Sequence, residues 1–372
     1  MRILMVSTSY PRDHADWRGI FIRHLVDAFA RAGDAQLRLL APPGEVPGNV
    51  GIVANAAESA WLDRLMQAGG ISHLMRRGGL AGMFAPIGLL RLLARAYQRE
   101  GGIDAYHINW LQCALPLPDN GLPAVIGVLG NDLKLLRLPM MRTLLRRAMR
   151  RRRVALCPNA EWMCAPLQAA FGDLAQIVPV SFGIDASWYA IDRAPEKPAR
   201  WLAVTRLTQD KLGPLFDWSA PLFTDARARE LHLFGPMQES VAVPDWVRYH
   251  GPADAASLAR EWFPAATGLV TLSRHAEGRP QVMLEAMAAG LPIVASRAPA
   301  HADVVRDGVT GFLCDTKQAY ARAMAQIEDA QTNAEFGAAA RVAAREGYGT
   351  WGDCAARYLA IHRRLQAGIA SA

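Results

Sequence analysis

The chain has 372 residues, of which 51% are hydrophobic and 20% charged, enough for two buried cores and incompatible with a disordered polymer. Its net charge of +7 is mild, but much of it gathers between Arg142 and Arg153, with no accompanying nucleic-acid recognition motif. Five cysteines, an odd number with no Cys-x-x-Cys spacing in a long chain, argue against a disulfide framework and favour a reducing cytoplasm.

The first apolar run, Ile3–Ser7, is short and reads as a first strand rather than a signal peptide. Further strand-like runs lie at Leu37–Ala41, Ala105–Asn109, Ala124–Leu129, Val154–Cys157 and Gln176–Val180. Between the second and third, the stretch from Ser72 to Arg99 mixes Leu, Met and Phe with Arg76, Arg77, Arg91, Arg95 and Arg99. Its longest apolar run, Gly78–Leu90, is broken by glycines and Pro86 and falls short of the ~20 residues that span a bilayer. Together with Arg142–Arg153 the stretch offers either the solvated basic face of a core helix or a surface that could lie on an anionic membrane. The polar, Pro-containing segment Ile191–Pro198 reads as a linker. Beyond it, strands are predicted at Trp201–Thr205, Glu230–Phe234, Arg248–His250, Gly268–Leu272, Ile293–Ser296 and Gly311–Cys314, and a final helix from about Tyr348 to Leu365. Strands alternating with helical patterns imply two parallel α/β sheets. The expected domains are 1–185, joined by a C-terminal helix at about 350–372, and 186–349. Neither a Gly-x-Gly-x-x-Gly fingerprint nor a phosphate loop ending in Gly-Lys-Ser/Thr occurs, which argues against an ordinary dehydrogenase or ATPase.

The most telling segment runs from Gly268 to Asp307. A buried strand ends in a charged turn, Ser273-Arg-His-Ala-Glu277-Gly-Arg-Pro280, and a helix follows, with Pro280 expected at its first position and Gly290 just past its end. A turn of this kind sits where α/β sheets bind ligands, and a helix N-terminus offers N–H donors to phosphate. Glu285 lies four residues after Gln281, on the same helix face.

Glu277-Gly-x-Pro280, then Glu285-Ala-Met-Ala-Ala-Gly290-x-Pro292, then Asp307-Gly-Val-Thr-Gly-Phe312-Leu resemble the signature of the family 4 glycosyltransferases. The resemblance covers nearly the whole chain and is stronger in its second half. It implies the GT-B fold, two Rossmann-like domains whose parallel sheets face a central cleft. It implies retaining transfer of a sugar from a UDP- or GDP-linked donor to a hydroxyl of a glycan or lipid-linked acceptor, as in bacterial surface-polysaccharide synthesis. It implies a cytoplasmic enzyme, peripheral on the inner membrane face, with no cofactor, no metal and no nucleic-acid partner.

Site residues follow from the same resemblance. Arg206 and Lys211, in Arg206-Leu…Lys211-Leu-Gly213, would grip the diphosphate, with Thr205 replacing the family's usual Gly. Glu277 would hold sugar hydroxyls and Glu285 the ribose. Gly235, Gly278, Arg279, Pro280 and Gln281 complete the donor side. Arg279, usually aromatic in the family, would meet an acidic group of the donor or point to solvent. In the first domain, Gly19 would approach phosphate, and Trp17, Asn109, Trp110, Asn131 and Asp132 would line the acceptor side. The family's His before Gly130-Asn-Asp132 is Leu129 here, so His107, in Tyr106-His-Ile-Asn109-Trp110, becomes the candidate imidazole. The catalytic set is thus Glu277, Arg206, Lys211 and His107. A GT-B epimerase and a non-catalytic nucleotide-sugar-binding scaffold are the alternatives.

Overall fold

The computed structural model describes residues 1–13, 16–71, 74, 79–224 and 228–368. It divides into two compact units: Met1–Phe182 with Trp351–Ala372, and Gly183–Thr350.

The first unit is built on a seven-stranded, all-parallel sheet: β1 (Arg2–Val6), β2 (Gln36–Leu40), β3 (Gly51–Ile52), β4 (Ala105–Asn109), β5 (Ala124–Val128), β6 (Val154–Pro158) and β7 (Gln176–Ile177), in spatial order β3-β2-β1-β4-β5-β6-β7. β4, β5 and β6 are buried along their whole length, as expected of strands covered on both faces. Helices α1 (Ile20–Ala32), α2 (Ala56–Gln67), α3 (Gly79–Arg99), α4 (Met141–Met149) and α5 (Cys164–Phe171) intervene between strands. One core gathers Leu4, Val6, Leu93, Ile108, Ile126, Leu145 and Phe171, the other Ile3, Met5, Val26, Phe29, Val125 and Cys157. The alternation of β1 side chains between the two cores is the period-2 geometry of a strand.

The expected strand at Gln176–Val180 is paired as a ladder only over two residues. Val178 and Val180 still donate to Leu156 and Pro158 carbonyls at 2.9 Å, but the return bond to the Val178 carbonyl would come from residue 158, a proline with no N–H to give. β3 escapes sequence reading because two residues show no periodicity.

The second unit holds a six-stranded parallel sheet: β8 (Ala199–Val204), β9 (Arg229–Phe234), β10 (Val247–Gly251), β11 (Gly268–Thr271), β12 (Ile293–Ser296) and β13 (Gly311–Cys314), ordered β10-β9-β8-β11-β12-β13. Its helices include α6 (Gln281–Ala288), α7 (Pro299–Ala302), α8 (Lys317–Ile327) and α9 (Ala330–Gly347). One face packs Leu202, Leu269, Met283, Met287 and Ile293, the other Trp201, Ala203, Leu231, Val270 and Tyr320.

The last helix, α10 (Trp351–Ala367), belongs to the first unit. Trp351 stacks on His24 at 5.2 Å, and Tyr358, Leu359 and Leu365 enter the core beside Phe29 and Val125.

Candidate functional site

In the second unit β8, β11 and β12 are neighbours, and the loops leaving their carboxyl ends carry the charged residues singled out from the sequence. Thr208 caps a short turn, Gln209–Leu212, by accepting from the Lys211 N–H at 3.2 Å. Gly213 follows with φ 54°, and a Cβ there would stand 2.1 Å from the Leu272 carbonyl oxygen. Only glycine permits so close an approach to the end of β11. The Arg274 N–H donates to the Asp210 carbonyl at 2.8 Å, tying the same two loops together. This close fit brings Lys211 Nζ to 2.5 Å from Glu277 Oε2, with the side chains 11% and 20% exposed. Burial lowers the Lys211 pKa, and the Glu277 carboxylate works against that shift. Arg206 stands beside them, its Nη1 making only a long 3.4 Å contact to Gln238 Oε1. At Gly235, φ is 137° and a Cβ would overlap the Thr205 carbonyl at 1.7 Å, so the strand end before Arg206 is held by a close backbone approach.

α6 starts one residue later than the sequence suggested. Pro280 occupies the cap position, with φ −66° and ψ 122°. Its ring fixes φ but not ψ, and the extended ψ places Gln281 as the first helical residue. At the other end, Gly290 has φ 72°, and the Gly290 and Leu291 amides donate back to Met287 and Ala286, a Schellman closure. Gln281 Nε2 donates to the Gly183 carbonyl at 2.9 Å. Glu285, one turn along, is partly buried. Desolvation lifts its carboxyl pKa from 4.5 to about 7, opposed by the Gln281 hydrogen bond and assisted by Asp185.

A raised carboxylate pKa has a defined sign in stability. The folded form keeps its proton while the unfolded form loses it, so stability falls as pH rises from about 4.5 to 7. Glu285→Gln should flatten part of that slope in urea midpoints taken across this range. An unchanged slope would show that Glu285 is solvated and ionised. Asp132 contributes in the same window, so the informative quantity is variant minus parent.

Arg279 neither points to solvent nor stands open to a ligand. Its Nη2 lies 2.5 Å from Asp303 Oδ2, both side chains are under 10% exposed, and its guanidinium lies 5.0 Å from the centre of the Tyr348 ring. A cation placed beside a buried carboxylate is held there by the cost of leaving either charge alone. The donor-side assignment from sequence is corrected accordingly: this arginine is engaged by the chain itself.

The first unit gives a similar correction. His107 is fully buried in mid-strand, packed edge-on against Phe29 and Tyr358, with Nδ1 3.2 Å from His362 Nε2. Desolvation pushes its pKa down to about 3. It is a neutral core residue beneath α10 and is not presented to any ligand. Both faces of β4 are covered, and the one-residue alternation puts His107 on the face packed by Phe29 and Tyr358 while Tyr106 and Ile108 enter the other core. Asn109 is buried too, donating to the Val6 carbonyl at 3.1 Å. Asp132 accepts from the Leu129 N–H at 2.7 Å and the Leu111 N–H at 3.1 Å, clamping two loops, and burial raises its pKa to about 7. Trp110 has φ 69°, an uncommon conformation for a bulky residue, and its ring meets Phe21. Trp17 and Asn131 are exposed. Gly19, φ 74°, caps α1, and a Cβ there would strike Ser9.

From Gly79 to Arg99 the basic, apolar stretch is α3. Met83, Phe84 and Ile87 on it are exposed, as are Leu138, Met140 and Leu144 around α4. Leu90 of α3 shares a cavity of about 490 Å³ with Leu144, Arg147 and Arg150. Arg76 and Arg77 lie outside the described residues. No described helix is long and apolar enough to cross a membrane, and no cluster of metal-ligating side chains occurs among the described residues.

Sequence reasoning overlooked His301, on α7, whose Nδ1 lies 3.0 Å from Ser296 Oγ at the end of β12. No motif or spacing marks it, because only the adjacency of β11 and β12 brings it to the loops described above.

Residues 202–329 match the family described as "Glycosyl transferases group 1". A D-inositol 3-phosphate glycosyltransferase of Streptomyces griseus is 39% identical over 111 residues, covering 29% of this chain and 23% of the relative. One from Arthrobacter is 35% identical over 113 residues, covering 30% and 26%. The match thus spans about a quarter of these relatives' own length. Among solved structures, a sucrose-phosphate synthase from Thermosynechococcus elongatus superposes with a TM-score of 0.72 at 16% identity, covering 99% and 100% of the two chains. Anabaena HepE in complex with UDP and glucose does so with 0.64 at 17%, covering 97% and 99%. Likeness at this identity shows the fold, which is GT-B, with two parallel-sheet α/β domains.

Proposed function

We propose that this chain is a family 4 glycosyltransferase. In this reading it transfers sugar, with retention of configuration, from a nucleotide diphosphate donor to a hydroxyl of a glycan or lipid-linked acceptor. The observation that carries the reading is the Lys211–Glu277 pair beside Arg206, at the carboxyl ends of β8 and β11 and ahead of the α6 N-terminus. Transfer develops positive charge on the sugar and negative charge on the departing diphosphate. Lys211, Arg206 and the α6 amides would stabilise the latter, in a partly desolvated setting where such contacts act strongly. Glu277 would be released to the sugar hydroxyls once phosphate replaces it on Lys211. Glu285 would accept from the ribose. This set needs no metal and no protein nucleophile. The match to glycosyl transferases group 1, and the UDP and glucose held by a structure of the same fold, support the donor class.

Thermal shift with UDP, GDP and their sugars tests this. A ligand at ~100 times its dissociation constant adds about 2.7 kcal/mol. Selective stabilisation by one nucleotide is expected, whereas no shift with any of them would sink the donor site. Sugar transfer that requires added acceptor would separate a transferase from an epimerase.

The exposed Met83, Phe84, Ile87 and Met140, among Arg91, Arg142 and Arg147, fit peripheral contact with an anionic membrane face, as a lipid-linked acceptor would need. Sedimentation with anionic but not zwitterionic vesicles is expected. Equal sedimentation with both would remove the electrostatic part of this proposal.

A further inference from the structure

One imidazole beside the candidate site has no part in the reading above. His301 is 1% exposed, and its Nδ1 lies 3.0 Å from the Ser296 carbonyl oxygen and 3.0 Å from Ser296 Oγ. A carbonyl oxygen can only accept, so Nδ1 carries the proton. Ser296 Oγ donates to the Ser273 carbonyl at 2.8 Å, which leaves its lone pairs to the same Nδ1–H. The ends of β11 and β12 thereby set one tautomer and one ring orientation. Nε2 is left as the ring's open position, with no hydrogen-bond partner among the described residues. The charged groups facing the ring are Glu277, which favours the imidazolium, and Lys211, which opposes it. Asp303, on the turn that follows α7, is already held by Arg279. Burial is the largest influence and lowers the ring's pKa, a shift that a further negative charge at Nε2 would oppose.

We propose that His301 is a donor-binding residue whose Nε2 meets the diphosphate of the bound nucleotide sugar, as a third donor beside Lys211 and Arg206. The inference rests on the nucleotide-sugar reading above. A diphosphate brings the missing negative charge, so the ring takes one proton from solvent as the ligand binds. Nε2–H then donates to a phosphoryl oxygen, and Nδ1–H stays on Ser296. Binding and protonation are thus linked, and donor affinity falls as pH rises through neutrality.

Calorimetry with UDP-glucose and GDP-glucose tests this on the full chain, at several pH values and in buffers of differing ionisation enthalpy. The parent protein is expected to take up as much as one proton per donor bound near neutral pH. His301→Asn keeps an amide donor where Nδ1–H stood but has nothing at Nε2. It should bind about tenfold more weakly and without proton uptake. His301→Gln, whose amide reaches the Nε2 position, should keep most of the affinity near neutral pH and lose the uptake. The Glu285 titration is common to all three proteins, so it cancels in their differences. Proton uptake by the parent no greater than that of His301→Asn, or equal affinity in His301→Asn, would overturn the inference and leave the donor site standing. A folded parent that binds neither sugar would overturn both.

Discussion

Lys211→Ala should lower kcat/KM for sugar transfer by about 100- to 1,000-fold, the size expected when one preorganised donor to a developing negative charge is removed. The fold should survive, because the Glu277 carboxylate left behind is 20% exposed and can recruit water. Glu277→Gln should cost activity on a similar scale through the sugar hydroxyls. The double variant should be far less harmful than the two losses multiplied, since the side chains touch and act as a unit. Steady-state transfer, with circular dichroism to verify folding, decides this. Full activity in Lys211→Ala would mean that the 2.5 Å ion pair is structural and that the diphosphate lies elsewhere.

Arg279→Ala should instead destabilise the second unit, by about 3–5 kcal/mol, because it strands the Asp303 carboxylate in a site where that side chain is 9% exposed. It also removes the stacking on Tyr348. Replacing both partners with apolar residues, as in Arg279→Met with Asp303→Leu, should recover most of the loss. Urea unfolding measures both, and a loss below about 1 kcal/mol for Arg279→Ala would mean that water reaches Asp303. The two predictions separate cations on two neighbouring loops, those that follow β8 and β11. Lys211 is held near Glu277 with the two side chains 11% and 20% exposed, where the proposed donor phosphate would displace the carboxylate. Arg279 is held on Asp303 beside the Tyr348 ring, with both side chains under 10% exposed.

The sequence by itself determined the two parallel sheets, because buried strands are continuous apolar runs and their helices carry their own start and stop signals. Gly290 ending α6 and Thr208 capping the turn before Lys211 are local signals of that kind. It also placed Arg206, Lys211 and Glu277 in the loops that follow strands and Glu285 one turn into the next helix, since their positions follow from where each strand stops. The tertiary structure alone decided which charges meet. The sequence offers Arg279 to the donor or to solvent and His107 as a candidate imidazole, yet Arg279 turns to an aspartate 24 residues away and His107 to a histidine 255 residues away. His301 had no signal at all, because its setting comes from Ser296 and from Ser273 on the neighbouring strand's loop. The reason is physical. Strand and helix propensities act over a few residues and are written in local order. The partner of a buried charge or imidazole is set by which strands lie side by side and by which face of a strand is turned inward. A single-residue change of phase reverses that face while leaving the composition of the segment unaltered.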